Sequence, residues 1–524
     1  MASMSMVRRS MARRSPCAAW IPLAAFALAP AFAADAPGAG IGTDTNLSFK
    51  VVPSVSVQET ITDNYRLSST NKQANAVTEA SVGINVSSGA GRIKGFLDYS
   101  LTARLSSHDS ETNGLRHLLR LSTLGSIELV DDRVFVDVRA SIAPQAISAF
   151  GKQSFSSSVD NSNRTDVLNY GISPYARGRL GQLGNYEVRL DHSGVVSGDS
   201  NASDSSTTTA SGTLSGGNPS GLFGWSVTAS HQVSDFSDGD QTEIDRVRAV
   251  LTRAFGPHVS LSVIGGRESN NFQGIDNTSY TNSGLQVRWA PSERMSMSAL
   301  YERRFFGNSH AVNFAYRTAR TVWSFNDSQD ISTTPDRVTQ VILGNSYSVF
   351  FAQFAAIEPD PVRRDALVRA FLAVNGINPN ALVSAGFLGS GATVVRNQSL
   401  SVGLVGVRTN LTFRTNHSNS VRVSRLTIGS GNLTDSTRVR QRGLSVDLSH
   451  RLTPSASAGL TLQSLRITGA FDSLASTLSS LTASWSDRVN SRTSISAGAR
   501  YVKFDSSTQP YTEKAVFATV RLTF

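Results

Sequence analysis

A chain of 524 residues, 40 % hydrophobic and 17 % charged with a formal net charge of +10, has room for several domains or one large β architecture. Its single cysteine, Cys17, excludes a disulfide framework and a thiolate metal site, and arginines scattered one or two per segment argue against a nucleic-acid footprint. No later apolar run reaches the roughly 18 residues of a spanning helix, which leaves a secreted all-β protein or a membrane β-barrel, whose half-apolar strands give no hydropathy peak.

The chain begins with Arg8, Arg9, Arg13 and Arg14 ahead of "CAAWIPLAAFALAPAFA". A basic start, a short apolar stretch and the small residues Ala31 and Ala33 predict a secretory signal over 1–33, cleaved after Ala33. Removing its four arginines lowers the net charge from +10 to +6. A short periplasmic segment, 34–48, is expected to follow, with the barrel over 49–524.

From about residue 50 onward, segments alternate with the two-residue period of strands. "RIKGFLDYSLTARL" sets Ile93, Leu97, Tyr99, Leu101 and Leu105 against Lys94, Asp98, Thr102 and Arg104. "GLQVRWA" sets Leu285, Val287 and Trp289 against Gln286 and Arg288, and "TSISAGARYV" sets Ile495, Ala497, Ala499 and Tyr501 against Ser494, Ser496 and Arg500. Between such segments, tight connections ("VDDRV", 130–134; "FGPHV", 255–259; "APSERM", 290–295; "RLTPSAS", 451–457; "SDRVNSR", 486–492) take turns with longer polar ones (197–213 and 266–279). Short connections at one end and long ones at the other predict a transmembrane antiparallel β-barrel of about 22 strands, within a range of 18–24. In this reading "FGNSH" is an outer loop and "RTAR" (317–320) an inner turn.

One segment breaks the alternation. "EPDPVRRDALVRAFLAVNGINPN" offers Asp360 as N-cap, Pro361 at the first helical position, and an apolar face of Leu367, Ala370, Phe371 and Val374. This predicts a helix near 361–374, inside an outer-side insertion over 333–395, whose apolar face is expected to pack within the insertion as a lobe that gates the mouth of the barrel.

The chain closes on "EKAVFATVRLTF", with Val516, Ala518, Val520, Leu522 and Phe524 on one face. A last strand with an open apolar edge would invite aggregation, so both of its edges are expected to be paired.

"VVPSVSVQETITDN" (51–64), "LVDDRVFVDVRASIAPQAIS" (129–148), "NYGISPYARGRLGQLGNYEVR" (169–189) and "DPVRRDALVRAFLAVNGI" (360–377) resemble the outer-membrane β-barrel proteins associated with the PEP-CTERM/exosortase system, which accompany exopolysaccharide loci. The likeness spans nearly all of the mature chain and rests on structural motifs. It implies a Gram-negative cell outer membrane, and makes Val520, Leu522 and Phe524 resemble a C-terminal insertion signal read by the barrel-assembly machinery. Outer-membrane lipid, lipopolysaccharide, exopolysaccharide and its export proteins are the implied partners; nucleic acid is not.

No catalytic signature is present: no G-x-S-x-G, H-E-x-x-H, P-loop or Rossmann fingerprint. The eight histidines are scattered singly, "GRLGQLG" (178–184) reads as a hairpin turn, and Asp235, Asp238 and Asp240 read as a solvated loop. No metal or cofactor is expected. Trp225, Trp289, Tyr301, Trp485 and Tyr501 are candidates for interfacial aromatics. Arg246, Arg248, Gln286, Arg288, Gln463, Arg500 and Arg521 fall on the opposite parity and are candidate lumen-lining residues. They either pair with lumen acids or select anionic and sugar solutes. The expected function is a porin-like, non-enzymatic barrel that assists polysaccharide export or solute passage through a gated lumen. A structural or adhesive barrel binding polymer through its outer loops, and a barrel hydrolase acting on lipid or glycan, are the alternatives.

Overall fold

A computed structural model describes residues 49–524, apart from 89–90, 94, 108–112, 123–126, 157, 199–203, 218–220, 238–240, 273–276, 334–363, 365–367, 369–390, 424–437 and 471–473. The expected signal over 1–33 and the segment 34–48 therefore lie outside the described residues. The strands are β1 (Phe49–Thr62), β2 (Asn75–Ser88), β3 (Gly95–Ser106), β4 (Gly114–Ser122), β5 (Ile127–Val130), β6 (Val134–Ala146), β7 (Arg164–Arg179), β8 (Asn185–Ser197), β9 (Ser205–Gly217), β10 (Phe223–Phe236), β11 (Thr242–Ala254) and β12 (Val259–Asn270). They continue as β13 (Thr278–Ser292), β14 (Met295–Arg304), β15 (Gly307–Arg317), β16 (Thr321–Ser332), β17 (Thr393–Val405), β18 (Thr409–Arg422), β19 (Arg438–Arg451), β20 (Ala456–Thr468), β21 (Ser476–Arg488), β22 (Thr493–Ser506) and β23 (Tyr511–Thr523).

All 23 strands belong to one antiparallel sheet, and β1 pairs both β2 and β23, so the sheet closes on itself. β4 and β5 follow one another along the same neighbour: Ser122 faces Arg139 and Ile127 faces Val136 of β6. They are two pieces of one interrupted strand, and the barrel has one position fewer than its 23 strands, 22 in all. The closing strand answers the expectation for the C-terminus, since β23 is paired along both edges, to β22 and to β1. The edge left by an unclosed sheet is thereby removed.

The connections at the two ends differ in length, although the 305–306 turn at the longer end has only two residues. One end carries short turns, among them 131–133, 255–258, 293–294, 318–320, 452–455 and 489–492; the other carries 63–74, 147–163, 333–392 and 423–437. We call these the short-turn and long-loop ends. The turn after β7 needs glycine: Gly184 has φ +146, and a Cβ there would lie 2.1 Å from the Ser215 carbonyl oxygen.

Three expected loops are shorter than the sequence suggested. Much of 197–213 and 266–279 is strand, because β9 begins at Ser205 and β12 runs to Asn270. The run "SSTTTASGT" is polar on both faces, yet β-branched threonine suits a pleated strand whose inner side meets water. "FGNSH" is not an outer loop either: Phe305 and Phe306 alone turn the chain, and Gly307, at φ +107, already opens β15. Within 333–395, Leu367, Ala370, Phe371 and Val374 of the expected helix lie outside the described residues.

Along the short-turn half the outer wall is apolar. Leu285, Val287, Trp289, Leu460, Leu462, Leu481, Trp485, Val516, Val520 and Leu522 are exposed large hydrophobics at outward positions. In water a belt this continuous would be an aggregation site; against lipid it is the expected face of a membrane-spanning barrel.

Candidate functional site

The connection between β6 and β7, 147–163, is the feature that shapes the lumen. Its apolar residues Ala149 and Val159, with Phe150 and Phe155 packed alongside, join one cluster with Val395, Val439, Leu465, Ile467, Leu478, Val502, Phe504 and Tyr511. Those eight partners all occupy inward positions of β17 and β19–β23, so the connection turns into the barrel and packs on the far wall. A Cβ added at Gly469, between β20 and β21, would sit 3.2 Å from the Phe150 ring.

Polar bonds pin the same segment at several points. The Tyr511 hydroxyl donates to the Gln153 carbonyl at 2.5 Å, and Arg500 Nη2 donates to Ser156 Oγ at 2.9 Å. Ser158 Oγ donates to Glu79 Oε2 at 2.8 Å, and the Asp160 amide donates to the Tyr65 carbonyl at 3.0 Å. Irregular backbone inside a barrel must satisfy its own polar groups. Here Asn163 Nδ2 donates to the Ser148 and Lys152 carbonyls at 2.8 and 2.9 Å, and Gln153 Nε2 to the Ser148 carbonyl at 3.0 Å. The segment is thus a pinned inward loop. Sequence reasoning missed it, although a long connection whose few apolar residues stand in a Ser, Asn and Gly background was its visible signal.

All seven candidate lumen residues stand at inward positions, and the structure divides them into two groups. Arg246 and Arg248 both reach Glu302, the latter from Nε at 3.2 Å, beside a second buried pair, Arg304 Nη2 to Glu268 Oε2 at 2.7 Å. Arg500 Nη2 donates to Glu513 Oε1 at 2.8 Å, and Gln463 Oε1 accepts from Ser480 at 3.4 Å. These side chains belong to the wall. With their acids nearly or fully buried, their charge is spent on pairing. Arg288 and Arg521 differ: both are exposed in the short-turn half of the lumen, and neither has a carboxylate partner among the described residues. Gln286 lies one inward step from Arg288 on β13.

The candidate interfacial aromatics all project outward. Trp225, Trp289 and Trp485 lie toward the short-turn end; Tyr301 and Tyr501 lie further toward the long-loop end, with the Tyr301 hydroxyl donating to Asn308 Oδ1 at 2.8 Å. Val520, Leu522 and Phe524 also face outward, and the Phe524 amide donates to the Pro53 carbonyl at 3.0 Å. Two of the scattered histidines meet acids on the outer wall. His231 Nδ1 lies 2.8 Å from Asp245 Oδ1, with Glu243 close enough that the three ligand atoms fall within 4.8 Å of one another. His310 Nε2 lies 3.2 Å from Asp327 Oδ1. Asp238 and Asp240 lie outside the described residues.

No protein-family model and no curated protein matches the chain. Among solved structures, the FrpB iron transporter from Neisseria meningitidis (F5-1 variant) is similar at 9 % identity and TM-score 0.46, over 90 % of this chain and 82 % of that one. The siderophore receptor PirA from Pseudomonas aeruginosa matches at 10 % identity and TM-score 0.42, over 91 % and 80 %. Pseudomonas aeruginosa OccK2 (OpdF) matches at 10 % identity and TM-score 0.32, over 90 % and 98 %. Likenesses this distant carry no argument about function.

Proposed function

We propose that the protein is an outer-membrane barrel that passes an anionic solute or polysaccharide segment through a lumen narrowed by the 147–163 loop. The apolar belt on the outer wall supports residence in a bilayer, and only the bacterial outer membrane routinely takes closed barrels of this size. The short-turn end then faces the periplasm. The observation that carries the reading is the pinned inward loop: a barrel of 22 positions encloses a space too wide to be closed by wall side chains alone, and it needs something folded within it. Exposed Arg288 and Arg521 below the loop favour an anionic passenger. The resemblance to exopolysaccharide-associated barrels makes an acidic exported polymer the candidate of interest, with its export proteins as partners, and we read the protein as a conduit and not an enzyme.

Single-channel conductance of the refolded protein tests this. Replacing residues 149–159 by a short Gly and Asn linker should leave heat-modifiable gel mobility intact while raising conductance about several-fold, as expected when a folded restriction leaves a wide barrel. A second arm removes 340–392, whose apolar helix stripe made it the sequence-based candidate for a gate. An intact barrel whose conductance is unchanged by the first deletion overturns the gating loop. No change from either deletion moves the reading to an adhesive barrel.

A further inference from the structure

The outer wall changes character toward the long-loop end, and on β19 and β20 it becomes cationic. Arg440 and Arg442 follow one another at outward positions of β19, and Arg442 is the direct cross-strand partner of Arg466 on β20. On its other side Arg442 faces His417 of β18, whose covered Nδ1 has no hydrogen-bond partner among the described residues. Like charges set directly opposite each other on one face of a sheet destabilise it, so the pair calls for a counter-charge. None is provided among the described residues. All three arginines are exposed, and none has a carboxylate partner among the described residues. The nearest outward acids are taken: Asp327 receives Arg396 Nη2 at 2.8 Å and Gln398 Nε2 at 3.0 Å, and Asp505 pairs with Lys503 at 2.9 Å.

What lies beneath the cluster decides the kind of anion. Two residues below Arg442 on the same face is Leu444, then Val446 and Leu448; below Arg466 come Ser464, Leu462 and Leu460. Each such step is about 7 Å, so the guanidinium groups stand at the upper border of the lipid-facing belt. Arginine is the side chain suited to phosphate, because its planar fork donates two parallel bonds. A ligand with a phosphate at this height and acyl chains below it satisfies both surfaces at once.

We propose that Arg440, Arg442 and Arg466, flanked by His417, form a binding site for a phosphorylated glycolipid of the surrounding outer leaflet. Its phosphate lies across the Arg442–Arg466 pair and its acyl chains lie along Leu444, Val446 and Leu462. The site rests on the reading of the barrel as membrane-embedded. It is independent of what crosses the lumen.

The test is lipid retention by the full-length barrel in detergent, measured by native mass spectrometry with three probes: bisphosphorylated lipid A, the same lipid A with its phosphates removed, and inorganic phosphate. The wild-type barrel should hold the bisphosphorylated lipid through delipidation. The variant R440Q/R442Q/R466Q should retain roughly tenfold less, as expected when several charge-assisted bonds are lost together. R440K/R442K/R466K should keep an intermediate share, and R267Q/R303Q, which alters isolated outward arginines on β12 and β14, should behave as wild type. Equal retention by the glutamine variant, or of the dephosphorylated lipid, overturns the phosphate site. Inorganic phosphate held as tightly as the lipid overturns the lipid assignment. A wild-type barrel recovered from the outer membrane that keeps no lipid A overturns the site and leaves membrane residence standing.

Discussion

The two halves of the same strands obey opposite rules. In the short-turn half of β22, Ile495, Ala497, Ala499 and Tyr501 point outward while Ser494, Ser496 and Arg500 point inward; two residues further on, Lys503 and Asp505 point outward while Val502 and Phe504 point inward. β19 and β20 do the same, with Leu444, Val446, Leu460 and Leu462 outside below, and Val439, Leu465 and Ile467 inside above. On these three strands the period holds while its phase inverts partway up the wall; β1 and β3 instead keep Ile61 and Leu105 outside and Thr62 and Arg104 inside near the long-loop end. Below the inversion the barrel faces lipid outside and water inside. Above it, headgroups and water lie outside, and the pinned loop supplies an apolar interior. In this sector the wall is therefore not one amphipathic surface but two stacked ones, and the height of the switch marks both the membrane border and the floor of the loop.

The largest effect should come from disturbing the upper interior. Phe504 is 1 % exposed and packs in the cluster that receives the loop, so Phe504→Ala should cost about 3–5 kcal/mol of local packing. Arg500→Ala should cost a similar amount, about 3–5 kcal/mol, by leaving the fully buried Glu513 uncompensated and releasing Ser156. Both are expected to lower the temperature of heat modification and to add noisy, larger openings to single-channel records. A silent record from either would mean that the loop does not depend on this wall.

A smaller effect locates the border itself. Leu462→Arg, in the belt, should destabilise the folded barrel by about 2–4 kcal/mol in denaturant titrations in lipid, while Ser269→Arg, outward in the upper half and opposite Asp245, should stay within about 0–1 kcal/mol. Equal costs would place the lipid boundary elsewhere. The smallest change concerns the lower lumen. Arg288→Glu with Arg521→Glu should leave stability near wild type and shift the reversal potential under a salt gradient toward cation permeation, roughly several-fold in permeability ratio. An unshifted reversal potential would mean that passing ions do not sense these two arginines.

Much of this was legible in one dimension because it depends on neighbours along the chain. Two-residue alternation marks strands whatever they face, tight Pro, Asp and Asn turns mark one end, and the apolar parity of "AVFATVRLTF" marks a strand needing two partners. The parity rule also placed Arg246, Arg288, Arg500 and Arg521 on the inner side and Trp289 and Tyr501 on the outer. Three-dimensional pairing decided the rest. Glu302 reaches Arg246 across 56 residues and Arg500 reaches Ser156 across 344, so spent and free arginines could not be told apart in the sequence. The "RYVKFDS" stretch does show the phase shift, from Tyr501 to Val502 and Phe504, but an apolar residue at an inward position looks like an error until something is known to cover it. Nothing local says that 147–163 turns inward and not outward, because a polar loop with a few apolar residues is stable in either place until a facing wall is supplied. The Arg442–Arg466 pair follows from hairpin register, which shifts every cross-strand contact at once and is set only when turns, bulges and barrel closure are satisfied together.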